Sequence, residues 1–334
     1  MSMNHFKPIP EALISKIQNE GWKGELRWDA VYGQKTLGGF LAHSYLLKPN
    51  QDLTLFEACL QAGLPFFIPP DLLEMNNRLN YLDNITNVLI DYSCRSFDSK
   101  AQAIWDCLFK AGFDINQRFE FEHHKTILMF VCEVETNEPD RSFLQYLLNH
   151  NVDLHLQDDY GMTALLYLAS FHPFSLPWLI EQGANPKDTY QDTKTGEVLG
   201  NVLSLALGYF WDVIEYDEYE NEKTIQALFE KLIQLGSDPY LILGNQQTML
   251  HCAYSWCPSL IPFLIQIGVD LTIQDHQGRT ILDLCQESAS SSNFTNPKVN
   301  DTYRNYVQQI IEKMKEPYQK LPKASDSSIK TKRI

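Results

Sequence analysis

The chain has 334 residues, 44% of them hydrophobic, which is enough apolar material for a sizeable core and for two or three ordinary domains or one elongated array. Its 42 acidic and 27 basic side chains leave a formal charge of -15, which repels phosphate and argues against nucleic acid and anionic membranes while permitting a basic protein partner. No stretch approaches the roughly 20 apolar residues that span a bilayer, and residues 1–11 lack the apolar core of a secretory signal. The seven cysteines, at 59, 94, 107, 132, 252, 257 and 285, are scattered without a repeated CxxC. These features predict a cytoplasmic monomer with reduced, buried thiols.

In chain order, residues 8–20 read as a helix with Pro10 in its first turn, and 21–39, with their glycines and tryptophans, carry no assigned element. Helix pairs follow over 37–47 with 52–62, 79–92 with 99–111, 126–134 with 140–149, and 163–170 with 174–182. The series continues with 202–211 and 222–235, then 249–256 and 258–267. A closing pair, 280–287 with 300–315, spans the Ser/Asn-rich stretch 288–296, and its polar second helix suits the end of a stack. Six second helices run into Gly63, Gly112, Asn151, Gly183, Gly236 or Gly268, followed by a hydrophobic or small residue and then usually Asp or Asn. Gly and Asn enter the left-handed conformation that closes a helix, so each marker predicts a C′ cap with an immediate change of chain direction. The markers are separated by 49, 39, 32, 53 and 32 residues.

A second signal precedes three of the pairs: Asp159-Tyr160-Gly161-Met162-Thr163, Gln246-Gln247-Thr248, and Asp275-His276-Gln277-Gly278-Arg279-Thr280, with a fainter copy at Lys125-Thr126. Asp and Gly suit a tight turn, and the Thr hydroxyl satisfies free N–H groups at the start of the next helix. Turn, helix, turn and helix in this order resemble the ankyrin-repeat family, whose unit of about 33 residues opens D-x-x-G-x-T-P-L-H and closes G-A-D. The likeness is strongest over residues 150–286 and fades toward the N-terminus, where the longer intervals also suit a HEAT-like array. The family's Pro is replaced by Ile127, Ala164, Met249 and Ile281, and His251 alone keeps the motif's His. The resemblance implies an all-α solenoid of stacked helix-turn-helix pairs over 38–316, flanked by a capping segment, 1–37, and a tail, 317–334. That tail has five basic residues and one acid, so it is read as a disordered basic end.

The long interval between Gly183 and Gly236 marks insertions at 187–200, read as an enlarged turn, and at 209–223, read as an acidic and aromatic loop. In the second, Trp211, Asp212, Glu215, Tyr216, Asp217, Glu218 and Tyr219 combine contact area with carboxylates that pair Lys or Arg. Family geometry adds turn tips and the exposed side of first helices. These give Asp158, Asp159, Tyr160, Asp275 and His276 at tips, Tyr167, Phe171 and Trp256 on helices, and Tyr190 in the first insertion.

Catalytic signals are weak. G-x-S-x-G, P-loop and G-x-G-x-x-G motifs are missing from the sequence. Adjacent histidines such as His123 and His124 diverge rather than share one metal, and His251 with Cys252 reads as a motif position beside its helical neighbour. The expectation is therefore a chain that is no enzyme and needs no cofactor or metal. It would present an acidic, aromatic surface to a basic protein, as an inhibitor, an adaptor, or a bacterial effector exported through its tail. The rival reading is an enzyme with its site in residues 1–111, built around Trp22, Arg27, Trp28, Asp29 and Tyr32.

Overall fold

The computed structural model describes residues 39, 41–42, 45–46, 53–61, 66, 85–119, 123–134, 141–214 and 221–290. The expected helix at 8–20, the segment 21–38, the cap helix at 300–315 and the basic tail lie outside them. Described residues between 39 and 46 are helical, and Leu41, Ala42 and Leu46 are buried. The chain divides into two compact units, Met1–Asn185 and Pro186–Ile334. Both are mainly helical.

The first unit contains α1 (Thr54–Gln61), α2 (Ile85–Arg95), α3 (Ser99–Lys110), α4 (Ile127–Glu133), α5 (Arg141–Asn149), α6 (Ala164–Phe171) and α7 (Leu176–Glu181). Asp98 starts α3 by accepting from the amides of Lys100 and Ala101 at 3.0 and 2.9 Å. Thr163 caps α6 through the amide of Leu166 at 3.4 Å. Helices α2 and α4 pack together, as do α4 and α6, and α3 closes over α2. Trp105 of α3 is fully buried, donates to Ser93 Oγ at 3.0 Å, and meets Phe113 and Phe143 at ring distances of 5.8 and 5.6 Å.

The second unit contains a hairpin, β1 (Thr189–Gln191) with β2 (Val198–Asn201), then α8 (Val202–Ile214), α9 (Asn221–Gln234), α10 (Met249–Trp256), α11 (Ile261–Gln266) and α12 (Ile281–Ser290). The strands are antiparallel, with Thr189 opposite Asn201 and a bulge between Tyr190 and Gln191. Helix α10 packs against α8, α11 and α12. Both units repeat one local construction: α6 and α10 each end in a residue that has left the helical region, His172 (φ -143°, ψ 58°) or Cys257 (φ -150°, ψ 73°). A proline then opens a single 3-10 turn, at Pro173 or Pro258, that leads into α7 or α11.

The expected caps are present at five markers. Gly112, Gly183, Gly236 and Gly268 have φ of 91°, 110°, 110° and 88°, and Asn151 has φ 60°. Behind each glycine the next amide reaches back to the helix, as Ala184 N–H does to the Leu179 carbonyl at 3.2 Å and Ser237 N–H to that of Leu232 at 3.0 Å. Gly63 lies outside the described residues. All seven cysteines are free and buried, as expected.

Two expectations about the insertions change. Residues 187–200 form a hairpin rather than a turn, so the helical fold carries a small sheet. Residues 209–214 are not loop: the apolar run from Val202 keeps α8 going through Trp211 and Asp212. Among the described residues, no helix is long and apolar enough to cross a membrane.

Candidate functional site at the turn tips

In the first unit, the turn joining Phe119 to Lys125 and the turn at 158–162 stand side by side. Phe119 N–H donates to the Lys125 carbonyl at 2.9 Å, and between them His123 and His124 both take left-handed backbone, φ 55° and 59°. Two consecutive non-glycine residues in that region are unfavourable unless neighbours hold them. The next turn does so. Asp159 N–H donates to the His123 carbonyl at 2.9 Å, His124 Nδ1 meets Asp159 Oδ2 at 2.7 Å, and the His123 ring lies 4.7 Å from that of Tyr160, with Nε2 to Tyr160 Oη at 3.2 Å. The result is a clasp with Tyr160 half exposed, at 50%.

Beneath the clasp runs a buried chain of polar groups. Asp158 Oδ1 accepts from the amides of Tyr160 and Met162, both at 2.9 Å, and its Oδ2 accepts from Tyr167 Oη at 2.6 Å. Burial, and then this hydrogen bond to a carboxylate, push the Tyr167 phenol far above its ordinary range. Lys125 Nζ lies 4.7 Å from the Tyr167 ring centre and 5.6 Å from that of Phe130, and donates to Glu133 Oε2 at 2.7 Å. A buried ammonium is tolerable here because carboxylate and ring faces surround it.

The second unit uses the same turn position with a different partner. Asp275 Oδ1 accepts from the amides of Gln277 and Arg279 at 2.8 and 3.0 Å, and its Oδ2 receives Arg279 Nε and Nη2 at 3.1 and 2.8 Å. Burial alone would raise the Asp275 carboxyl; the amide of Arg279, its guanidinium and the amide of Gln277 outweigh it and bring the group down to about 2. Adjacent turns are again joined through the backbone, His276 N–H to the Asn245 carbonyl at 3.1 Å. His251 accepts from Thr248 N–H on Nδ1 at 3.2 Å and has Nε2 at 3.2 Å from the Arg279 carbonyl, which makes it a structural bridge to the next turn. Burial lowers its pKa, which favours this neutral, bridging ring.

The expected contact residues therefore separate. Asp159, Tyr160 and His276 are exposed at tips, while Phe171, Tyr190 and Trp256 are half-buried. Asp158, Tyr167 and Asp275 are corrected: all three are buried, because each serves the turn's own hydrogen bonds and offers no surface. Trp211 and Asp212 lie on α8, and Glu215, Tyr216, Asp217, Glu218 and Tyr219 fall outside the described residues. Lys125, Glu133 and the two tip histidines were missed as a group. The His-His pair was visible in sequence, but the contact with residues 159 and 160 is not a local property. Among the described residues, no group of three or more His, Cys, Asp or Glu side chains could hold a metal ion.

No family model and no curated protein matches this chain. A solved structure to which it is similar is that of the Bd0816 predatory endopeptidase from Bdellovibrio bacteriovorus in complex with the immunity protein Bd3460. Identity there is 21% over 66% of this chain and 96% of the other, with a TM-score of 0.46. That complex contains an endopeptidase, and the expectation that this chain is no enzyme is withdrawn on that finding.

Proposed function

We propose that the chain is a protein-binding repeat scaffold of the ankyrin type. It forms one array over residues 38–316 and presents an acidic, aromatic surface to a basic protein, as an inhibitor, adaptor or effector. The protein acts as a monomer in the cytoplasm, or after export into a host cell in the effector role. The observation that carries this reading is the clasp at His123, His124, Asp159 and Tyr160. It holds a half-exposed tyrosine in place before any partner arrives, so little side-chain entropy is lost on binding. Neighbouring turns joined by backbone hydrogen bonds give a rigid base to such tips.

The test is affinity capture with the full chain, followed by titration of the identified partner against the double variant Asp159→Asn, Tyr160→Ser. A second variant neutralises Asp212, Glu215, Asp217, Glu218, Glu220 and Glu222. A hot-spot tyrosine predicts a loss of about 2 kcal/mol in the first variant. A partner that binds both variants with native affinity would remove the tips and the acidic insertion from the interface.

A further inference from the structure

The hairpin of the second unit is more firmly built than a spacer requires. The Tyr190 ring lies over Gly200 so closely that a β-carbon there would stand 2.4 Å from its Cε1. Glu197 covers Gly244 in the same way, with 2.7 Å from its Cβ to where a β-carbon would be. Gly244 N–H donates to the Val198 carbonyl at 2.7 Å, and Asn201 Nδ2 donates to the Asp238 carbonyl at 3.1 Å. At the base Asn201 and Ser204 cap α8 reciprocally, at 2.9 and 2.8 Å. Hairpin and turn 238–247 are thus one piece.

On that piece stand Leu199, Tyr240 and Ile242, exposed to 45%, 56% and 47%. Tyr160 and Phe174, both in the first unit, are the other large exposed hydrophobic side chains among the described residues, so this short stretch carries most of them. The Val198–Gly244 bond sets Leu199 and Ile242 on adjoining segments, one and two residues from it. Tyr240 is held as well: its Oη donates to the Ile267 carbonyl at 2.8 Å and its amide to Asp238 Oδ1 at 2.8 Å. Apolar side chains held exposed by a backbone anchored in this way are available together as a contact surface. The same segments carry the carboxylates of Asp188, Asp192, Glu197 and Asp238 against the ammonium groups of Lys187 and Lys194.

We propose that the hairpin insertion is a docking surface for a basic protein segment. An aliphatic or aromatic side chain of that segment seats on Leu199, Tyr240 and Ile242, and its flanking Lys or Arg residues meet the excess of carboxylates. The inference rests on the scaffold reading and names the partner chemistry for one part of it. Docking is by side chains rather than by strand addition, because β1 has three residues and a bulge, which makes it a poor template for a further strand.

The test is selection of a random linear peptide library, displayed on phage, on the immobilised full chain. Enriched peptides should pair an aliphatic or aromatic residue with Lys or Arg. Their binding should fall at least about tenfold in Leu199→Asp and in Ile242→Asp, and stay unchanged in Phe174→Asp. Thermal melting of each variant checks that the fold persists, and Ile242→Ser gives a milder substitution at the same place. Three results would overturn the proposal: no enrichment, enrichment of acidic peptides, or peptides indifferent to both hairpin changes. Peptides lost instead in Tyr160→Ser would overturn the hairpin as the docking surface and leave the scaffold standing.

Discussion

Replacing Asp275 tests whether the turn acids are internal fixtures. Its side chain is 0% exposed and receives two backbone amides together with Nε and Nη2 of Arg279. In Asp275→Asn one amide oxygen can still serve Gln277 and Arg279 N–H, but the new NH2 group faces guanidinium donors. The loss of a charge-assisted pair there should cost about 2 kcal/mol. Asp275→Ala also leaves both backbone donors unpaired, and should cost about 3 kcal/mol. Arg279→Ala alone should cost less, and in the double variant Asp275→Asn, Arg279→Ala the penalties should fall short of additive, as expected for one shared interaction. The pH dependence has a definite sign. Because the folded carboxyl lies near 2, below its ordinary value, its stabilisation is complete above pH of about 4 and is lost as pH falls toward 2. The assay is urea unfolding of the full chain by tryptophan fluorescence and circular dichroism, repeated across that pH range. An Asn variant within about 0.5 kcal/mol of native, with unchanged acid sensitivity, would refute the internal role.

Two further outcomes follow from burial. Ser237 follows the Gly236 cap where Phe113, Val152, Ala184 and Val269 stand in other pairs, and its buried Oγ has no hydrogen-bond partner among the described residues. Ser237→Ala should therefore raise stability by about 1 kcal/mol in the same urea assay, and a loss would show a missing partner. Burial pushes the thiols of Cys252 and Cys285 up to about 12 and those of Cys59 and Cys107 up to about 11. Native protein should then be nearly inert to a thiol-specific reagent at mildly alkaline pH and react fully in urea; rapid labelling of any native cysteine would contradict the packing.

Helix ends were legible because they are decided locally. A left-handed residue after a helix costs Gly or Asn little, so Gly112, Asn151, Gly183, Gly236 and Gly268 could be read without knowing what the helices pack against. The same holds for Thr163 before α6. The hairpin was hidden because strands of three and four residues are too short for an alternating pattern to declare itself, and its anchors, Gly200 under Tyr190 and Gly244 under Glu197, are contacts across the chain. Asp212 opens an acidic run that reads as the start of a loop, whereas the apolar run from Val202 carries α8 to Ile214. Side-chain direction at the tips was the least legible feature. Nothing in Asp158-Asp159 distinguishes the acid that turns inward to Tyr167 from the one that faces solvent and meets His124.

That distinction changes how the charge of -15 should be used. A carboxylate that already holds two amides and a phenol, as Asp158 does, or two amides and a guanidinium, as Asp275 does, has its field largely compensated within a few ångströms. Asp159 is exposed but shares its oxygen with His124. The clasped tip is consequently less acidic than its Asp-Asp sequence suggests, and a partner meeting it would be recognised mainly through Tyr160. The hairpin differs in exposure: Glu197 is solvent-facing and Asp192 half-buried, not enclosed as Asp158 and Asp275 are, and backbone amides of Thr195 and Lys194 hold Asp192 below the usual carboxylate range, so it stays charged. Salt screens exposed charges over about 8 Å at physiological strength. Binding through the hairpin should accordingly weaken as salt rises, and binding through the Tyr160 tip should change little, so one salt titration of a captured partner distinguishes the two surfaces.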